Sequence, residues 1–128
     1  MIEYPYLYRK NRLYPIIPVT ISKGQMFLRT EGLIDSGANI SVFSADIAEY
    51  FGIDITKGEK VYLQGIGGHI AGYIHEMALT MSNVTVPCRI VLSPELIIGF
   101  NVLGRENLFD KFLITFDESH KKVRLMPI

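Results

Sequence analysis

The strongest constraint on this chain is that its apolar residues come in short, partly alternating runs separated by turn chemistry. "YPIIPVTIS" (14–22) and "QMFLRTEGLID" (25–35) meet at "SKGQ", a glycine-containing turn that predicts a hairpin. "NISVFS" (39–44) reads as a further strand, as do "EKVYLQ" (59–64), "YIHEMALTM" (73–81) and "VTVPCRIVL" (84–92). "LITFD" and "KKVRLMPI" close the chain as strands around a turn at "ESHK". Only two stretches carry helical spacing. One is "ADIAEYF" (45–51), which Ser44 is placed to N-cap and Gly52 to end. The other is "NVLGRENLFDKF" (101–112). Many short strands with one or two short helices predict a mostly-β barrel or sandwich. The 128 residues are enough for one core and too few for two.

Charge narrows the function classes. Thirteen Lys and Arg balance thirteen Asp and Glu, so no overall field recruits nucleic acid or an anionic membrane. The one basic cluster, "YRKNRLY" (8–14), reads as part of a solvated N-terminal arm over 1–14, ahead of a single domain over 15–128. Cys88 is the only cysteine, which excludes an internal disulfide and fits a reducing compartment. With no apolar leader and no membrane-length run, a cytoplasmic location is expected unless the chain is excised from a longer precursor. His69, His75 and His120 are scattered without metal-ligand spacing, so neither a metal nor a cofactor is expected.

Three segments carry the chemistry. In "EGLIDSGANISVFS" (31–44), apolar Leu33 and Ile34 deliver a lone carboxylate, Asp35, into Ser-Gly-Ala before apolar residues resume. Asp-Ser-Gly is good turn chemistry, yet a carboxylate between half-buried strands is costly to desolvate and calls for a second reason. "LQGIGGHIAGY" (63–73) has glycines at 65, 67, 68 and 72. It fails the dinucleotide fingerprint, because Ile70 stands at the third glycine position and the following residues read as strand. A mobile hairpin flap with Ile66 at its apex accounts for it better. "VLGRENL" (102–108) feeds two apolar residues into Gly104 and Arg105.

Taken together, in this order and spacing, "LIDSGA", "GIGGHI" and "VLGRENL" resemble the retroviral aspartic proteases, the retropepsins, and their cellular relatives. The likeness spans roughly residues 15–126. It implies a closed β-barrel of the retroviral aspartic protease type with a β-hairpin flap. By the same resemblance Asp35 is the catalytic aspartate, Ser36 braces the two loops across a dimer, and Gly37 supplies an N–H toward the carboxylates. Ala38, Asn39, Gly65, Ile66, Gly67, Gly68 and His69 match substrate-binding positions, and Gly104 with Arg105 matches the element packed beneath the catalytic loop. Asn39 stands where the retroviral enzymes usually carry an aspartate that pairs with the arginine, so an Arg105–Asn39 hydrogen bond is the expected replacement.

Amide hydrolysis of this kind uses two close carboxylates sharing one proton. Asp46, Asp54, Asp110 and Asp117 all lack the following Ser/Thr-Gly, so the chain supplies one motif only. The expectation is a homodimeric aspartic endopeptidase acting on a polypeptide substrate, with Asp35 from each subunit at the twofold axis. The alternative is a catalytically idle, dimeric peptide-binding or scaffold domain of the same fold.

Overall fold

The structure is a computed structural model, and it describes residues 1–65, 68–96 and 98–128. In chain order the strands are β1 (Ile2–Pro5), β2 (Leu7–Arg9), β3 (Arg12–Tyr14), β4 (Ile16–Lys23), β5 (Met26–Ile34) and β6 (Ser41–Ser44). After helix α1 (Asp46–Phe51) come β7 (Glu59–Gly65), β8 (Gly68–Met81), β9 (Val84–Ser93), β10 (Asn101–Leu103), β11 (Phe112–Asp117) and β12 (Lys122–Pro127). Period-2 alternation explains β4 from Ile17 onward, with Ile17, Val19 and Ile21 buried and Pro18 facing out; Ile16, on the opposite face, is buried as well.

Seven strands form one sheet in the order β4-β5-β10-β6-β9-β8-β7. It closes on itself because β8, fourteen residues long, pairs with β7 through its first half and with β4 through its second, from Thr20↔Thr80 to Ser22↔Ala78. Inside lies the main core, built around fully buried Phe43, Ile21, Leu79, Ile90, Leu92 and Leu103. A smaller apolar cluster of Val42, Val91 and Val102 sits outside it, covered by Ala38, Ile40, Leu63, Ile70 and Ile98.

Residues 1–14, read from sequence as an arm, run as three strands. β1 pairs antiparallel with β12, which in turn pairs with β11, giving a separate sheet ordered β1-β12-β11. Tyr6 enters the main core at 6% exposure, its hydroxyl donating to Glu118, and the Arg9 guanidinium grips Glu31 through both carboxylate oxygens at 2.8 and 2.9 Å.

Two local expectations are corrected. The N-cap of α1 is Ala45, with no side-chain cap; Ser44 Oγ instead accepts from Asp46 N–H at 3.3 Å. Gly52 does end the helix, in the left-handed region at φ 67°. The second helical pattern yields strand β10, a turn and a single 3₁₀ turn at Phe109–Lys111. Asn107 adopts φ 65°, which interrupts any helix, and its side-chain oxygen accepts from Arg89 N–H at 3.1 Å. Among the described residues, no helix is long and apolar enough to cross a membrane.

Candidate active site

Asp35 follows the last residue of β5, where the chain must leave the sheet. Ile34 is buried in the main core, and β5 runs parallel to β10 with Leu103 opposite Ile34. Asp35 N–H continues that ladder by donating to Leu103 O at 3.0 Å. One residue later the side chains reach solvent: Asp35 is half-buried, and Ser36 and Gly37 are exposed. The loop folds back on its own carboxylate. Gly37 N–H donates to Asp35 Oδ1 at 2.9 Å, and Ala38 N–H to Asp35 O at 3.2 Å. One carboxylate oxygen is thus held by a backbone donor, fixing the group's orientation.

Beneath the loop, β10 leaves the sheet at Gly104 with no room to spare. A Cβ there would lie 2.5 Å from the backbone C and O of Ile40. Gly104 N–H donates to the fully buried Ser41 Oγ at 2.9 Å. Next, Arg105 N–H donates to Ala38 O at 2.9 Å and Glu106 N–H to Asn39 O at 2.8 Å. The segment after β10 therefore clamps residues 38–41 through the backbone. Among the described residues no side-chain hydrogen bond joins Arg105 to Asn39; both side chains are exposed, and the backbone pairs carry the connection instead.

The loop forms the floor of a cleft of about 350 Å³. Asp35, Gly37, Ala38, Asn39 and Gly68 line it, bringing together five of the positions picked from sequence. His69 lies outside the lining, exposed and opposite Gln64 in the β7–β8 pairing, and Ser36 is exposed beside the floor. Gly65 ends β7 opposite Gly68, whereas Ile66 and Gly67 lie outside the described residues.

Sequence reasoning missed most of the walls. Tyr62, Leu63, Gln64 and Ile70 come from β7 and β8, Ile40 and Val42 from the floor, and Leu96, Ile98 and Val102 from the opposite side. The signal for Leu96 and Ile98 was faint, because an apolar loop residue reads like any core residue until the fold brings it to a cleft. Ser93 and Glu95 join the walls: Ser93 Oγ donates to Ala71 O at 2.6 Å, and Glu95 Oε1 accepts from Ala71 N–H at 2.7 Å. Both contacts pin β8 where it passes the cleft.

Chemically the cleft is apolar with one carboxylate, Asp35, among the described lining residues. Among the described residues no three His, Cys, Asp or Glu side chains gather as a metal site would require.

The sequence profile of the aspartyl protease family matches residues 17–104, a span running from β4 through the Asp35 loop to Gly104. Among solved structures, the chain is similar to the EIAV protease complexed with the inhibitor HBY-793. The TM-score is 0.58 and the identity 20%, over 81% of this chain and 93% of that one. That likeness is one of fold. No curated protein matches the chain.

Proposed function

The chain belongs to the aspartyl protease family, and from that premise we propose that it is an endopeptidase that works as a homodimer, with Asp35 of each subunit forming the catalytic pair. The observation that carries this reading is the placement of Asp35: half-buried, oriented by Gly37 N–H, and the one carboxylate among the described residues lining an apolar cleft. One carboxylate cannot both accept a proton from water and donate one to a carbonyl oxygen; two sharing a proton can.

In the reaction proposed, the ionised Asp35 takes a proton from a water lying between the pair. The oxygen of that water attacks the peptide carbonyl carbon, and the protonated Asp35 of the other subunit gives its proton to the carbonyl oxygen. The resulting gem-diol collapses as the carboxyl that took the water's proton passes it to the amide nitrogen, a gem-diol hydroxyl returns a proton to the other carboxylate, and the C–N bond breaks, leaving an acid and an amine. Gly37 steers the carboxylate, and Ser36, exposed on the same loop, braces the partner's loop. The β7–β8 hairpin closes over the substrate as a flap. Peptide lies along the cleft as an added strand, and Val42, Ile70, Leu96, Ile98 and Val102 select apolar side chains on either side of the scissile bond.

The test is cleavage of a diverse peptide mixture, read by mass spectrometry from about pH 3 to 7, beside an Asp35→Asn chain. The expected result is loss of at least about 10³-fold in turnover with peptide binding retained. Undiminished cleavage by Asp35→Asn refutes the mechanism. Peptide binding without cleavage by the unaltered chain assigns the fold to an idle binding module.

A further inference from the structure

We propose that Glu95 is a positioning residue for the peptide cleft: its carboxylate replaces a missing backbone partner of Ala71 and so fixes where the β7–β8 hairpin becomes free to move. The inference rests on the preceding reading for the role of that hairpin and on the end of the β8–β9 ladder for its location.

The ladder ends for a reason written in the sequence. β8 and β9 pair antiparallel from Tyr73↔Leu92 to Met81↔Val84. Two further steps of that register would set Ala71 opposite Pro94. Proline has no N–H to donate to Ala71 O, and β9 ends at Ser93. Ala71 would then hold an N–H and a C=O unpaired on a half-buried stretch of strand. Side chains take over both. Glu95 Oε1 accepts from Ala71 N–H at 2.7 Å, and the buried Ser93 Oγ donates to Ala71 O at 2.6 Å. Glu95 N–H closes the ring by donating to Ser93 Oγ at 3.1 Å. Gly72 permits this close approach, because a Cβ there would overlap Val91 Cγ1 and lie 3.0 Å from Leu92 O. That gives a role to the one glycine of "GIGGHIAG" that a hairpin tip does not require.

The ring has leverage on the cleft. Among the described residues, 68–72 of β8 pair with β7 alone. Ile70, one residue from Ala71 toward the hairpin tip, and Leu96, one residue beyond Glu95, both line the cleft. Glu95 therefore ties the β8 wall to the side that carries Leu96 and Ile98. With the ring in place the hairpin is anchored as far as Ala71; without it the last anchor is Tyr73. Two residues of strand, at about 3.4 Å each, lengthen the free lever by about 7 Å. A longer lever leaves Leu63 and Ile70 less ordered before peptide arrives, and ordering them on binding weakens affinity. The Asp35 loop is held by β10 and the segment after it, so its geometry does not depend on Glu95.

Backbone hydrogen exchange, read by NMR on the peptide-free chain, tests the bond itself. By the alternation of antiparallel pairs, the Tyr73 N–H points to the same side as that of Ala71 and bonds Leu92, which makes it the internal control. Glu95→Leu should speed exchange at Ala71 at least about tenfold and leave Tyr73 unchanged. Glu95→Gln keeps an acceptor oxygen and should hold the Ala71 rate within about threefold of the parent chain. Cleavage kinetics test the consequence, using a peptide from the mixture that the parent chain cuts. Glu95→Leu should raise KM about tenfold with kcat within about twofold, and Glu95→Gln should restore KM.

An Ala71 amide that exchanges at the parent rate in Glu95→Leu overturns the inference. So does equal acceleration at Ala71 and Tyr73, which is general destabilisation, or faster exchange at Ala71 with KM unchanged. A Glu95→Gln chain as impaired as Glu95→Leu overturns it as well. The two readings fail separately. A parent chain that cuts no peptide, or an Asp35→Asn chain that cuts as well as the parent, refutes the two-aspartate reading. The Ala71 and Tyr73 rates judge the hold of Glu95 on β8 without any cleavage.

Discussion

Gly104→Ala tests the idea that the Asp35 loop is held from below by backbone packing. An added Cβ would lie 2.5 Å from Ile40 C and O and 2.9 Å from Ile40 N. Comfortable carbon contacts begin near about 3.5 Å, so about 1 Å of overlap must be relieved by moving backbone. Overpacking of that kind costs about 1–3 kcal/mol. The movement also strains the Gly104 N–H bond to Ser41 Oγ and the Arg105 N–H bond to Ala38 O, both 2.9 Å, at about 1 kcal/mol each. A total near 4 kcal/mol corresponds to a fall of about 16 °C in Tm for a chain of this length. Urea unfolding at fixed protein concentration measures it, with the slope unchanged if the unfolded state is unaffected. Gly32→Ala is the internal comparison, since its Cβ meets only side-chain atoms of Leu103, the nearest at 2.9 Å, and should cost about 1 kcal/mol. Peptide cleavage by Gly104→Ala should drop about 100-fold as residues 35–39 shift. A Tm change under about 3 °C, or a larger loss for Gly32→Ala, would refute the reasoning.

Two further outcomes follow from side chains away from the cleft. Burial, reinforced by the Glu106 carboxylate, pushes the Cys88 thiol up to about 11; the folded chain should therefore leave a thiol reagent unconsumed at about pH 8 and consume one equivalent on unfolding, and rapid reaction of the folded protein would contradict this. Asp117 is held down at about 2, first by the His120 side chain and then by the Ser119 hydroxyl. Its folded value lies below the unfolded one, so its contribution to stability is complete above about pH 4 and disappears as the pH falls toward 2. Asp117→Asn should flatten the stability profile across that window, and an unchanged acid limb would exclude the effect.

Much of the architecture was legible in the residue order because it depends on local rules. Alternation marked β4 and β9, Gly52 marked the end of α1, and the passage from Leu33 and Ile34 into Asp-Ser-Gly marked the turn at the end of β5. Longer-range matters were not legible. "GIGGHI" and "YIHEMALTM" read as separate segments, yet from Gly68 onward they form the single strand β8, whose two halves serve different neighbours. The helical spacing of 101–112 was real, but Arg105 and Glu106 direct their N–H groups to Ala38 and Asn39, and Asn107 turns left-handed so that its side-chain oxygen accepts from Arg89 N–H on β9.

The sequence by itself determined that this chain would be a small β protein with one carboxylate delivered from an apolar strand into a tight turn, because burial alternation and turn preference act between neighbours. Only the tertiary structure decided what surrounds that carboxylate. Val42, Tyr62, Ile70, Leu96 and Val102 are scattered along the chain and become a cleft only when the sheet closes through β4 and β8. Contacts between residues far apart in sequence depend on which strands pair, and that pairing is settled by the packing of the whole core.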